Sequence, residues 1–138
     1  EKDPTIALAC QAECRDYRAM LELVDQQRLC IDGQDLDGFQ QTLTQVRLLM
    51  ERIELRQVQI PGFRQARKSG HGGIEEYLEE ARGLIRRIDS VRGVNEEALK
   101  HWRDRTKAQL GQANGPGRVG RGYGKRAAVG GGVAGGRN

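Results

Sequence analysis

The sequence predicts an all-helical fold, on three observations. Apolar residues recur at alternating steps of three and four over long stretches, the spacing that lines one face of a helix. Aromatics are only 4% of a chain that is 30% charged, which is enough for narrow apolar seams and too little for a thick core. Glycine and proline gather at a few places and leave the seams between them intact. The architecture implied is all-α: an antiparallel bundle of three long helices over about residues 1–110, the third helix protruding, followed by a disordered Gly/Arg-rich tail over 111–138.

The first helix is predicted over about residues 4–32. Asp3 and Pro4 stand where a cap and a first-turn proline belong, and Cys10, Cys14, Tyr17, Leu21, Val24, Arg28 and Ile31 share one face, broken only by the arginine. Gly33 supplies a stop and Asp35 a side-chain oxygen able to cap the next helix, so the chain turns back tightly. In the second helix, about 35–59, the seam runs Leu36, Phe39, Leu43, Val46, Met50 and Ile53 without a miss. Pro61-Gly62 ends it, and the glycines at 70, 72 and 73 make 60–73 read as a connecting loop in which Phe63 folds back over a helix end.

A third helix is predicted over about 74–110. Glu75, Glu76, Glu79 and Glu80 favour the positive end of its dipole, and its seam passes through Leu78, Ala81, Ile85, Ile88, Asn95, Leu99 and Trp102. At 1.5 Å per residue it would be about 54 Å long and would overhang its partners. An apolar stripe that outruns its own bundle invites a partner or a dimer contact, so the candidate partner-binding residues are Val91, Val94, Asn95, Leu99 and Trp102. Beyond Leu110 eleven of 28 residues are glycine, too little apolar surface to offset the entropy of ordering them.

Composition and motifs exclude several function classes. Five of the 23 basic residues and none of the 19 acids lie in 111–138, so the net charge of +4 belongs to the tail and 1–110 is near neutral. The tail's Arg118 to Arg126 stretch mixes arginine, glycine and one tyrosine, but it reads as a solvated segment in preference to a nucleic-acid site. Gly115-Pro-Gly117-Arg-Val-Gly120 has the letters of a dinucleotide fingerprint without the entering strand and leaving helix that make it work. Around Asp32–Gly38 a calcium loop would lack two oxygen ligands, including the bidentate glutamate.

Cys10 and Cys14 are one turn apart with no neighbouring Cys or His to complete a zinc site, and neither His71 nor His101 has a nucleophile beside it. No catalytic residue, cofactor or metal site is therefore assigned. Three cysteines without paired spacing, and no apolar run near the roughly 18 residues of a membrane span, point to a soluble cytoplasmic protein with reduced thiols. Because the chain opens on Glu1 and not on methionine, its natural start is left open.

Several local stretches resemble the FlgN family of flagellar export chaperones, with the FliT group as a near alternative. They are Gln26-Gln27-Arg28-Leu29, Gly33-Gln34-Asp35-Leu36-Asp37-Gly38-Phe39, Val46-Arg47-Leu48-Leu49-Met50-Glu51-Arg52-Ile53, the run from Ile88 through Asn95 to Leu99, and Gly122-Tyr123-Gly124. The likeness covers about 10–125 and departs at Glu97 and Ala98, where the family often shows a second asparagine. It implies a chaperone that binds the C-terminal helical segment of hook-associated or filament-cap subunits and passes them to the export apparatus. The competing class is a structural coiled-coil protein that homodimerises through the overhang.

Overall fold

A computed structural model describes residues 4–70 and 73–114. They form four helices: α1 (Pro4–Asp32), α2 (Leu36–Gln59), α3 (Phe63–Ser69) and α4 (Glu75–Asn114). No strand occurs among the described residues. The three long helices stand within one or two residues of their predicted starts, but two expectations are corrected. Residues 60–73 are not simply a loop, because Phe63–Ser69 carries no breaker of its own and folds as α3 between Gly62 and Gly70, both at positive φ (79° and 71°). Residues 111–114, assigned to the tail, continue α4, and the remainder of the tail lies outside the described residues.

Between α1 and α2 the chain turns in three residues. Asp35 caps α2 as expected, its Oδ1 accepting from the Gly38 amide at 3.0 Å. The left-handed residue at the end of α1, however, is Gln34 at φ 55° and not the adjacent Gly33. The Asp35 amide then donates to the Cys30 carbonyl at 2.8 Å, so the carbonyls left over at the helix end are satisfied despite the side chain in an unfavourable region.

α1 is buried on two adjacent flanks. One carries Cys10, Cys14, Leu21 and Val24 and meets α4: the Cys14 thiol donates to the Tyr77 carbonyl at 3.3 Å, Arg18 pairs with Glu80 at 3.0 Å, and Asn95 donates to the Val24 carbonyl at 2.8 Å. Numbers rise together along these contacts, so α1 and α4 run the same way. The other flank carries Ala9, Glu13, Asp16, Met20, Leu23 and Gln27. There Glu13 meets Gln57 and Asp16 meets Arg56 and Arg52, so α2 runs the opposite way.

Two apolar clusters result. The larger joins Met20, Leu21, Leu23 and Val24 of α1, Val46, Leu49 and Ile53 of α2, and Leu84 and Ile88 of α4. At about 2 kcal/mol for each fully buried large side chain, this cluster is the main stabilising contribution. The smaller joins Ile6, Ala9 and Cys10 to Phe63 and Ile74, both wholly enclosed. Phe63 thus covers a helix end as predicted, but from within α3.

Seam positions in α2 and α4 are shifted from the sequence reading. In α2 the buried row is Phe39, Thr42, Val46, Leu49 and Ile53, whereas Leu36 and Met50 are 43% and 50% exposed. The rows 36/43/50 and 42/49/56 flank the shared row 39/46/53 on opposite sides, and α1 takes the second. In α4 the fully buried positions are Ala81, Leu84, Ile88 and Asn95, with Ile85 only partly covered.

Candidate functional site

The chain divides into two units, one ending at Asn95 and the other beginning at Glu96, with α4 continuous through both. The five candidate residues divide with it. Val91 is partly buried and packs against the larger cluster. Asn95 is 5% exposed, and its amide holds the Val24 carbonyl, so it serves the α1–α4 contact and presents nothing to a partner. Val94, next to it in the chain, is 53% exposed.

In the second unit Leu99 and Trp102 are half-buried, as are Ala98 and Leu110, while the side chains between them are exposed and mostly charged or polar. Steps of three, four and four from 99 through 102 and 106 to 110 keep Leu99, Trp102 and Leu110 on one side of the helix, with Thr106 between them donating its hydroxyl to the Trp102 carbonyl at 2.9 Å. Arg103 lies beside this stripe, and Lys100, Asp104 and Arg105 are exposed further round the helix. Such a surface offers apolar anchors with a charged rim, the chemistry that receives the apolar face of another helix.

A second surface, within the first unit, escaped the sequence reading. On the side of the α1–α2 pair away from the Cys14/Val24 flank lies a groove of about 430 Å³, with Ala19, Glu22 and Leu23 on its α1 wall and Leu48, Leu49 and Arg52 on its α2 wall. Leu48 and Leu55, two turns apart, are 55% and 52% exposed. The sequence signal was the leucines at 48 and 55, which fall outside any row that includes Phe39, Val46 and Ile53.

Electrostatics on the α1–α2 flank are unusually internal for so small a chain. Asp16, 6% exposed, accepts from Arg56 at 2.6 Å and from Arg52 at 2.8 Å. Glu13, 3% exposed, accepts from the Gln57 amide at 2.6 Å and pairs with Arg67 of α3 at 3.2 Å. The Arg67 guanidinium also lies 6.0 Å from the Phe63 ring centre. These groups neutralise one another across three helices, a structural role in which carboxylates are held by opposite charge.

The thiols behave as small apolar groups. Burial pushes Cys14 up to about 11, with Glu80 adding to the effect, and burial followed by Glu13 raises Cys10. Cys30 is raised by burial and then by Asp35. Among the described residues no group of three or more His, Cys, Asp or Glu side chains is placed to hold a metal ion. Among the same residues no helix is long and apolar enough to cross a membrane. His71, the glycines from Gly115 onward and Tyr123 lie outside them. Comparison of the chain with protein families, curated proteins and solved structures finds no match.

Proposed function

We propose that this chain is a helix-capturing export chaperone, holding the C-terminal helical segment of a hook-associated flagellar subunit, or alternatively of the filament-cap subunit, without nucleotide hydrolysis. The observation that carries the reading is the stripe of Leu99, Trp102 and Leu110, half-buried amid exposed charged residues on a continuous helix. A subunit helix kept from its assembly partners exposes an apolar face, and anchors at steps of three and four can cover it. The FlgN-like stretches around residues 26–39 and 46–53 supply the subunit class, and the cytoplasm, where such subunits await export, is the compartment proposed.

Trp102 is the only tryptophan, so its emission reports directly on capture. Titration with peptides matching the C-terminal helices of hook-associated and filament-cap subunits is expected to shift that emission to the blue. Leu99→Ala and Trp102→Ala, the latter followed through a labelled peptide, should each weaken capture at least about tenfold, the loss typical of an interface anchor. Far-UV circular dichroism should stay unchanged. Undiminished capture by both variants would overturn the assignment of this stripe.

A further inference from the structure

Charge is distributed unevenly along the chain. Beyond residue 97 lie nine of the 23 basic residues and one of the 19 acids, Asp104. Whatever meets the far end of α4 therefore meets a positive field. Among the described residues the ion pairs all fall within the first unit, so Lys100, Arg103, Arg105 and Lys107 are exposed cations with no carboxylate held against them.

We infer that the helix received by the Leu99/Trp102/Leu110 stripe is acidic along its flanks, an inference that rests on reading the stripe as a helix seat. The placement of charge around α4 points to it. At about 100° per residue, Trp102, Thr106, Leu99 and Leu110 fan over about 80° of the helix surface. Arg103 stands about 20° past the Leu110 edge and Lys107 about 60° past it, while Arg105 stands about 60° past the Trp102 edge. Their long side chains reach back toward a ligand seated on the stripe. Asp104, in contrast, lies about 160° from the middle of the stripe, on the far face. Both rims are thus cationic along the anchors, and Glu96 comes only before Leu99, at the N-terminal end.

A ligand that satisfies this surface has to offer apolar groups and carboxylates in parallel rows. An amphipathic helix with apolar residues at steps of three and four and Asp or Glu beside them does so. Arg103 and Lys107 are about 6 Å apart along the axis, the rise between acids four residues apart on a guest helix. A lipid surface would call for a broader apolar face than one interrupted by Thr106, and a single-stranded nucleic acid would leave the leucines uncovered. Rim charges set partner choice and encounter rate more than affinity, so the guest is selected by charge and held by the anchors.

Two synthetic helical peptides, of one length and with one apolar row, separate charge from apolar fit when offered to the full chain. Both lack tryptophan; one carries glutamates beside the apolar row and the other lysines. At low salt the glutamate peptide is expected to bind at least about tenfold more tightly, read from Trp102 emission, and the preference should shrink in about 0.5 M salt. Arg103→Glu combined with Lys107→Glu, both at exposed positions, should reverse the order of the two peptides with unchanged far-UV circular dichroism. Leu99→Ala should weaken both peptides alike. Equal binding of the two, or a preference for the lysine peptide, would overturn the inference, yet the helix seat would stand if Leu99→Ala still weakened capture. Binding of neither would overturn it too, and would take the seat with it if the subunit peptides also failed to bind. Tighter binding of single-stranded RNA or of anionic lipid vesicles than of the glutamate peptide would make the surface a general polyanion site and sink the inference as well.

Discussion

The two buried flanks of α1 are held by different physics. Toward α4 the flank is apolar, with Cys10, Cys14, Leu21 and Val24 filling volume, and the directional contacts are those of the Cys14 thiol, the Asn95 amide and the exposed Arg18–Glu80 pair. Toward α2 the same helix buries Glu13, Asp16 and Gln27. Apolar packing stabilises both flanks, since Met20 and Leu23 on the α2 side belong to the larger cluster, while the buried charges on that side also select the pairing. If α2 slid by one heptad, Leu49 would stand where Arg56 now meets Asp16, and a buried carboxylate would face an alkyl side chain, a cost of several kcal/mol.

That contrast can be broken most severely at Asp16. Asp16→Ala leaves the largely buried Arg56 without its carboxylate and is expected to cost about 3–5 kcal/mol, read from the midpoint of denaturant unfolding. Replacing both partners, Asp16→Leu with Arg56→Leu, should recover most of the loss. A double variant no better than the single one would mean that the charges stabilise as well as select.

On the apolar flank, Asn95→Ala removes the bond to the Val24 carbonyl and should cost about 0.5–1.5 kcal/mol, the net worth of one intramolecular hydrogen bond. Alkylation sharpens the comparison with the least perturbation. With Cys14 ionising only near pH 11, it remains a neutral thiol at pH 8, so Cys10 and Cys14 should react with iodoacetamide far more slowly than the partly exposed Cys30. The sign follows from burial: the unfolded chain ionises near the ordinary thiol value of 9.0, so raising the pH above it favours opening. Equal rates for all three thiols would mean that the flank opens readily.

The helices were legible in the sequence because their seams and breakers are local. Pro4, the Asp35 cap and Pro61-Gly62 placed three of the boundaries within a residue or two. The polar flank of α1 was not legible, since Glu13, Asp16 and Gln27 look like solvated positions until Arg56 and Gln57 are brought to them from forty residues away. In α2 the same blindness chose Leu36, Leu43 and Met50 over Thr42, Leu49 and Arg56: hydrophobicity was counted, but burial follows the partner. The short α3 was hidden by the glycines around it.

For the candidate site, the stripe of Leu99 and Trp102 could be read from spacing alone, and so could the placing of Asn95 on the same row. The internal bond that makes Asn95 structural could not be read, because its acceptor is a carbonyl of another helix. The α1–α2 groove was invisible for the same reason: it exists only once the two walls stand side by side.

Phe63 has a bearing on how the chain is made. It packs with Ile6, Ala9 and Ile74, so that cluster must wait until residue 74 has been synthesised. The α1–α2 hairpin, joined by a three-residue turn, needs no such delay. On the ribosome the hairpin therefore zips first, with the N-terminal turns of α1 left unsealed until α3 and the start of α4 arrive to shut them.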